Sequence, residues 1–210
     1  MKKNVEIILD ELEQLYPAAD CELTYRTPFQ LLIAVVLSAQ TTDKKVNDVT
    51  KDLFAEYPDL EAMLTLSEME LQNKIKKIGL YRNKSKSVRN LCIMLAEEFD
   101  GKVPDEYDDL IRLPGVGRKT ANVVLSNAFS KPAIAVDTHV FRVSNRIGLA
   151  EAKDVLQTEL QLMDLIPKER WSLSHHLLIW HGRRTCKAKK PGCEVCPISE
   201  YCKYYLNNNA

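Results

Sequence analysis

The chain has 210 residues, of which 45% are hydrophobic and 28% are charged, and its formal net charge is zero. These values are ordinary for a globular protein of one large or two small domains, and the neutral charge gives no whole-chain argument for nucleic-acid binding. The longest strongly apolar run, residues 31–37, is too short to cross a bilayer, and no signal-peptide core follows residues 1–4. We therefore expect a cytosolic protein that does not enter a membrane.

Hydrophobic periodicity predicts short helices along almost the whole chain, about ten in number, and no convincing strand. The first helix places the apolar side chains of residues 5–15 on one face. The second begins after Thr27, with Pro28 at the first helical position and Gln30 as the partner of a capping box. It continues to about residue 37 and should be central, because it is apolar on nearly every side. The next helices are predicted after Thr42, from Ser67 to near Gly79, and from about Val88 to near Gly101. Short helices are predicted on both sides of residues 115–117. The last three are predicted over residues 138–147, 155–163 and 169–180.

A glycine-rich turn, Leu-Pro-Gly-Val-Gly-Arg-Lys-Thr, occupies residues 113–120. Two short helices joined by such a turn present backbone N–H groups and a positive dipole end, and glycine lets a phosphate approach closely. This helix-hairpin-helix arrangement binds the DNA backbone without reading sequence. A P-loop is excluded because its Gly-Lys-Thr triplet is missing. A dinucleotide-binding fingerprint is excluded because its third glycine is missing. A structural corner with glycine caps remains the alternative, and the candidate DNA-binding residues here are Gly115, Val116, Gly117 and Arg118.

Four of the six cysteines, Cys186, Cys193, Cys196 and Cys202, follow the spacing C-x6-C-x2-C-x5-C. In a reducing cytosol such a group favours metal binding over disulfides. Four thiolates suit either Zn²⁺ or a [4Fe–4S] cluster. Zinc sites more often pair two short hooks, and only Cys193 and Cys196 form one here. The spacing therefore favours a cubane wrapped by the loop, with zinc as the open alternative.

The segment that leads into the second cysteine is basic. It contains no Asp or Glu between Trp171 and Cys193, and its cations are Arg183, Arg184, Lys187, Lys189 and Lys190. A protein of zero net charge can still present a basic face to nucleic acid. A solvated surface run explains the charge pattern equally well.

These motifs, together with three further segments, resemble the endonuclease III family. The segments are Leu-Ser-Ala-Gln-Thr-Thr-Asp at residues 37–43, Ile-Gly-Leu-Tyr at 78–81 and Ala-Val-Asp-Thr-His-Val at 135–140. The resemblance covers nearly the whole chain in the same order, and it strengthens the choice of iron–sulfur over zinc. It implies a bifunctional DNA glycosylase and AP lyase of base-excision repair in the bacterial cytosol, at the nucleoid. The implied substrates are damaged pyrimidines (oxidised, saturated or fragmented) and abasic sites in duplex DNA.

The resemblance also implies an all-α fold of two helical domains with the active site in the cleft between them. One domain, residues 22–132, is a continuous six-helix unit with the helix-hairpin-helix motif. The other combines residues 1–21 with residues 133–210 and carries the [4Fe–4S] cluster on the loop at residues 186–202. A monomer is the default expectation.

By the same resemblance, Lys119 is the catalytic lysine. Its amine attacks the sugar C1′, expels the base and forms an imine that permits β-elimination. The attack needs a neutral amine, which we expect partial burial and the N-terminus of the following helix to favour. Asp137 matches the essential aspartate, which stabilises positive charge on the sugar and moves protons. Without the resemblance, a surface lysine of a phosphate clamp and a helix N-cap explain these two residues equally well.

The resemblance assigns further residues to DNA contacts. A damaged base must leave the stack to be reached, and Gln40 matches the residue that fills the hole, while Leu80 matches the wedge. His139 matches a phosphate contact. The alternatives are a helix-terminal glutamine, a core leucine at a helix end and a structural histidine. In the family, the loop between the first two cluster cysteines offers basic residues to phosphates, which here are Lys187, Lys189 and Lys190.

Three other functions are less favoured. An adenine-specific relative lacks lysine at position 119 and carries a further C-terminal domain, whereas this chain continues only eight residues beyond Cys202. A non-catalytic helix-hairpin-helix DNA-binding protein does not need both Lys119 and Asp137. An electron-transfer module is poorly supported, because a cluster beside a basic loop has a simpler explanation in DNA binding.

Overall fold

The computed structural model describes residues 2–208, with side chains from residue 4 onward. All regular elements in this part of the chain are helices, which confirms the all-α prediction. They are α1 (Lys2–Leu15), α2 (Pro28–Ser38), α3 (Asp43–Glu56), α4 (Leu60–Leu64), α5 (Glu68–Ile75), α6 (Tyr81–Glu98), α7 (Tyr107–Leu110), α8 (Arg118–Phe129), α9 (Thr138–Ile147), α10 (Val155–Leu165), α11 (Trp171–Arg184) and α12 (Lys203–Asn208). Short 3-10 turns occur at Lys168–Arg170, Cys193–Val195 and Ser199–Tyr201. No helix among residues 2–208 is long and apolar enough to span a membrane.

The chain divides into two compact units. Cys21–Ser130 forms one, called here the hairpin unit, and contains α2 to α8. Residues 2–20 and 131–208 form the other, called here the cluster unit, and contain α1 and α9 to α12. The periodicity did not predict α4 or α12, because so few residues cannot show a repeat. Helix α4 begins instead through a local cap, in which Asp59 Oδ1 accepts a hydrogen bond from Ala62 N at 2.9 Å.

Helix α2 is the centre of the hairpin unit. Every residue from 30 to 37 is buried, and α3, α6 and α8 all pack against this helix. Thr27 Oγ1 accepts a hydrogen bond from Gln30 N at 3.2 Å, as the predicted N-cap requires. The Gln30 side chain, however, accepts from Arg26 N and donates to Pro58 O, both at 3.0 Å. The second half of the predicted capping box is therefore wrong, because the buried amide satisfies both its donor and its acceptor elsewhere.

Local caps fix the other helix starts of the hairpin unit. Thr42 caps α3, and Ser67 forms a complete capping box at the start of α5, as predicted. Helix α5 ends at Ile75 rather than near Gly79. A tight turn follows it, in which Ile78 N donates to Ile75 O at 2.8 Å. This turn ends the regular helix one turn before the glycine.

Helix α11 is the centre of the cluster unit and packs against α1 and α9. It runs to Arg184, beyond the predicted end at residue 180. Gly182 allows this extension, because α9 passes so close that a Cβ built there would lie 3.0 Å from His139 Cβ. Helix α9 has the predicted bounds, with Asp137 as its N-cap and Gly148 (φ +96°) as its C-cap.

Candidate functional site

The glycine turn between α7 and α8 rests directly on two helices of the hairpin unit. Val116 N donates to Leu113 O at 3.0 Å and closes the turn. Gly115 has φ +82°, and a Cβ built there would lie 2.8 Å from Ser87 Cβ and 3.3 Å from Val36 Cγ1. Only glycine combines this backbone with this close contact to α6 and α2.

Gly117 has a different environment. It is the N-cap of α8 with an extended backbone (φ −103°), and a Cβ built on it would meet no atom within 4 Å. A glycine cap provides no side-chain acceptor for the first N–H groups of the helix. The N-terminus of α8 therefore opens onto free space, the arrangement in which helix N-termini bind phosphate.

Lys119 and Arg118 lie in the first turn of α8, and both side chains are exposed. The expectation that Lys119 is partly buried is wrong for the free protein, because its side chain is exposed. The amine is accessible to a sugar of bound DNA. Arg118 Nη1 donates to Tyr107 Oη at 3.2 Å, and the guanidinium lies 5.4 Å above the tyrosine ring, which holds it against α7.

Four exposed residues of the hairpin unit have left-handed backbones although none is glycine, and two of them, Gln40 and Leu80, are predicted DNA contacts. Gln40 (φ +53°) follows α2 by two residues, and Leu80 (φ +58°) immediately precedes α6. This conformation costs a non-glycine residue about 1–2 kcal/mol, so the surroundings must hold it. The two turns adjoin, since a Cβ built on Gly79 would lie 3.8 Å from both Gln40 O and Thr41 Oγ1.

A buried lysine connects these two turns. Lys84 is only 6% exposed, and its Nζ donates to Leu37 O at 3.0 Å and to Thr41 Oγ1 at 2.9 Å. Its backbone N–H donates to Leu80 O at 3.0 Å. Burial lowers the pKa of this ammonium group from its ordinary value. Lys84 was not predicted from the sequence, although its position four residues before Val88, on the apolar face of α6, is the signal for it.

Asp137 is held at the N-terminus of α9. Its Oδ1 accepts hydrogen bonds from His139 N and Val140 N, both at 2.8 Å. The carboxylate is half-buried and follows residues 133–136, which are all buried. The N-cap interpretation of Asp137 is thus confirmed, and the cap fixes the orientation of the carboxylate for any further role.

His139 is fixed by an arginine one turn along α9. Arg142 Nη2 lies 3.3 Å from His139 Nδ1, and it also donates to Gly182 O at 2.9 Å and to Cys186 O at 3.1 Å. The two hydrogens of Nη2 go to the two carbonyl oxygens, which fix the guanidinium group beside the ring. The half-buried imidazole is thus held in place between Arg142 and the end of α11.

The four cysteines of the sequence motif line one cavity in the cluster unit. Burial raises the pKa of the Cys196 thiol to about 11, and the charges of Cys202, Cys186 and Cys193 act in the same direction. Residues 2–208 contain no group of three or more His, Cys, Asp or Glu side chains that could hold a single metal ion. The thiols lie around the cavity instead, and a [4Fe–4S] cluster fits this donor set, because its positive charge offsets their mutual repulsion.

Buried polar side chains surround Cys196. His181, which is 2% exposed, places its Nε2 at 3.7 Å from Cys196 Sγ. Tyr16 Oη lies 3.2 Å from His181 Nδ1 and 2.7 Å from Thr185 Oγ1. Burial lowers the pKa of His181 to about 4 and raises that of Tyr16, so both rings are neutral near pH 7. The imidazole is thus held from both ring nitrogens beside a cluster ligand.

Helix α9 also holds the basic loop that follows the first cluster cysteine. Arg146 Nη1 donates to Lys187 O at 2.7 Å, and Arg146 Nη2 donates to Ala188 O at 2.9 Å. The side chains of Lys187, Lys189 and Lys190 are all exposed. The loop backbone is therefore fixed while its lysines remain available to a polyanion.

The structure thus separates the predicted residues into two groups. The turn that carries Lys119 packs on α2 and α6, the helices that flank Gln40 and Leu80 in the hairpin unit. In the cluster unit, α9 begins at Asp137 and contacts the loop of the cysteines. The residues that the sequence analysis missed are Lys84 in the first group and Tyr16, Arg142, Arg146 and His181 in the second.

Comparisons with known proteins identify the family of this chain. Residues 33–168 match the HhH-GPD superfamily of base-excision DNA repair proteins, and residues 186–202 match the iron–sulfur binding domain of endonuclease III. The chain is 52% identical over 202 residues to endonuclease III of Bacillus subtilis (strain 168), covering 96% of this chain and 92% of that protein. A solved trapped endonuclease III–DNA covalent intermediate, an estranged-adenine complex, matches with a TM-score of 0.94 and 50% identity over 100% of this chain and 99% of that chain. A non-covalent endonuclease III–DNA complex matches with the same score and identity, over 99% and 98%.

Proposed function

The chain belongs to the endonuclease III family and is a base-excision DNA glycosylase with AP lyase activity, and we propose that Lys119 supplies the amine for both reactions. The supporting observation is the position of this lysine. It is exposed and lies two residues after Gly117, in the first turn of a helix whose N-terminus is open to a phosphate. A DNA strand bound there brings a deoxyribose within reach of the amine.

The proposed reaction proceeds through an imine on Lys119. The neutral amine forms a bond to C1′ of the damaged nucleotide, the C1′–N bond breaks, and the base leaves with the electron pair and takes up a proton. The sugar ring opens to give the imine, which makes the 2′-hydrogen acidic. Removal of that proton breaks the C3′–O bond and cuts the strand, and water then releases the lysine.

Asp137 is proposed to stabilise the positive charge that develops on the sugar and to transfer protons to and from Lys119. Support comes from its geometry, because two backbone N–H bonds to Oδ1 hold the carboxylate in one orientation at the start of α9. Such a group stabilises a developing charge without a reorganisation cost. His139 is proposed to donate a hydrogen bond from Nε2 to a nearby phosphate.

Base extrusion is proposed to depend on Gln40 and Leu80. The damaged base must leave the stack, which costs a few kcal/mol. Gln40 enters the space that the base leaves, and Leu80 enters the stack beside it. Both side chains are exposed and both have a left-handed backbone in adjoining turns, which supports their action as a pair. Gly115, Val116, Gly117 and Arg118 hold the backbone of the same duplex.

The cofactor is a [4Fe–4S] cluster. We propose that Cys186, Cys193, Cys196 and Cys202 are its ligands. Iron–thiolate bonding is the chemistry that the cluster would supply here, and it would tie the four cysteines of the loop at residues 186–202 to one another. The residues of the loop then offer Lys187, Lys189 and Lys190 to phosphates of the duplex.

The proposed substrates are oxidised, saturated or fragmented pyrimidines and abasic sites in duplex DNA. We place the reaction in the bacterial cytosol, at the nucleoid, where the DNA of such a cell lies. The adenine-specific alternative is disfavoured by the accessible Lys119. The binding-only alternative is separated from the proposal by the assay below.

A duplex with one thymine glycol tests this function. The wild-type protein should release the base and cut the strand, and Lys119→Ala should do neither while still binding the duplex. Asp137→Asn should slow base release by roughly 10²–10⁴-fold, although asparagine still caps α9. Lys86→Ala, which changes an exposed lysine of α6, should match wild type. Binding without cleavage by wild-type protein, or full activity in Lys119→Ala, would contradict the proposal.

A further inference from the structure

We propose that Lys84 is a positioning residue that joins the Gln40 turn and the Leu80 turn into one rigid element for base extrusion. This inference rests on the proposed function, because it takes Gln40 and Leu80 to be the residues that enter the DNA stack. It adds a residue that touches neither the DNA nor the reacting atoms.

The side chain of Lys84 reaches the Gln40 turn from the first turn of α6, the helix that Leu80 immediately precedes. Its Nζ donates to Leu37 O in the last turn of α2 and to Thr41 Oγ1 just beyond it, at 3.0 and 2.9 Å. Thr41 Oγ1 in turn donates to Ala39 O at 3.4 Å. Both neighbours of Gln40 are thus connected to the ammonium group. Lys84 itself stands in the first turn of α6, where its backbone N–H forms the first hydrogen bond of that helix, to Leu80 O at 3.0 Å. Its side chain therefore ties the helix start that follows Leu80 to the Gln40 turn.

Burying this cation is costly, and core packing alone does not explain it. The side chain is 6% exposed, and within residues 2–208 it forms no ion pair with a carboxylate. Transfer of an ammonium group out of water without a carboxylate partner costs several kcal/mol. The carbonyl end of α2 offsets part of this cost, because helix C-termini carry partial negative charge. A methionine would fill a similar volume without the desolvation cost, so the cation's particular contribution is the geometry of its hydrogen bonds.

That geometry matters because both turns hold strained backbones. Gln40 and Leu80 have φ values of +53° and +58°, which non-glycine residues avoid unless neighbouring groups hold them. With Lys84 in place, the two side chains are ordered before DNA binds. Without it, the turns relax, and ordering them adds to the cost of extruding the base. The chemistry at Lys119 does not change, so the loss should appear in the extrusion step.

Two substrates separate extrusion from chemistry. One duplex carries thymine glycol opposite adenine, and the other carries it opposite a tetrahydrofuran abasic analogue, where extrusion costs less. In single-turnover assays, the rate of base release by Lys84→Met should fall about tenfold on the paired lesion and less than about threefold on the unpaired lesion. The tenfold loss corresponds to a fraction of the total cost of extruding the base. Thr41→Val removes one acceptor from a half-buried site. It should likewise lower the ratio of the rate on the paired lesion to the rate on the unpaired lesion. Lys86→Met is the matched control and should leave the ratio unchanged.

The outcomes distinguish the two claims. Inactive wild-type protein on both duplexes sinks the proposed function itself. If wild type is active and Lys84→Met loses the same factor in rate on both duplexes, Lys84 only caps α2. That result overturns the present inference. If Lys84→Met fails to fold by circular dichroism, Thr41→Val carries the test alone. In the Gln40→Ala background, Lys84→Met should cost less on the paired lesion than it costs in the wild-type background, because only the Leu80 turn is left to relax, and fully additive losses contradict a shared role.

Discussion

Gly115 and Gly117 lie two residues apart in one turn, yet the structure gives them different reasons to be glycine. Gly115 is required by the fold, because its backbone is left-handed and its Cα packs against Ser87 and Val36. Gly117 has an ordinary extended backbone and open space beside it. Since nothing in the free protein prevents a side chain there, we ascribe this glycine to the ligand that fills the space.

The paired substitutions to alanine test this difference. Gly115→Ala should lower the free energy of unfolding by about 1–3 kcal/mol, because it adds backbone strain and a contact of 2.8 Å. Gly117→Ala should change it by less than about 0.5 kcal/mol, yet weaken binding to an undamaged duplex. Urea denaturation and fluorescence anisotropy measure the two effects. Wild-type affinity in Gly117→Ala would show that no phosphate occupies this position.

The sequence identified the reactive residues better than the residues that hold them. Lys119 and Asp137 stand in recognisable motifs, so a pattern was enough to propose them. Lys84 belongs to no motif, and its importance depends on burial and on contacts with residues more than forty positions away. The exposure of Lys119 also depends on tertiary packing, and for this reason the expected partial burial was wrong.

At the scale of helices, starts were predictable because their causes are local. Thr42, Ser67 and Asp137 each cap a helix through a backbone N–H only two or three residues away. Ends depended more on tertiary contacts, as α11 shows by continuing past its predicted end where Gly182 meets α9. The link from the end of α1 to α11 through Tyr16 could not be predicted, since the partners are more than 160 residues apart.

Tyr16→Phe tests the contribution of that link. It removes the hydroxyl that bonds Thr185 and leaves His181 Nδ1 buried without its partner. The free energy of unfolding should fall by about 1–3 kcal/mol, as measured by urea denaturation of the cluster-loaded protein. Tyr204→Phe, on the α12 side of the same cavity, is the control and should change it by less than about 0.5 kcal/mol. Equal effects of the two changes would mean that the Tyr16 bonds contribute nothing specific.

At the scale of the whole molecule, charge is balanced in number but not in position. The chain carries 29 basic and 29 acidic residues, so any attraction to DNA must come from local patches. The loop held by Arg146 is such a patch, because its backbone is fixed and its three lysines are exposed. Its affinity for DNA should therefore depend on salt despite the zero net charge.

Replacing Lys187, Lys189 and Lys190 together by alanine tests this patch. Binding should weaken by a similar factor on damaged and undamaged duplexes, and the slope of log affinity against log salt should fall by about 0.9 per lost phosphate contact. The control replaces Lys51, Lys102 and Lys153, which are exposed elsewhere, and makes the same change in net charge. If both triple variants bind alike, the loop has no particular role and only total charge matters.

Covalent trapping tests the central claim that Lys119 forms an imine with DNA. Wild-type protein is mixed with a duplex containing one thymine glycol, borohydride is added, and the cross-linked peptide is located by mass spectrometry. We expect a stable adduct on Lys119, absent in Lys119→Ala and present in Lys86→Ala. An adduct on a different residue, or base release by wild-type protein with no adduct at all, would contradict imine formation at Lys119.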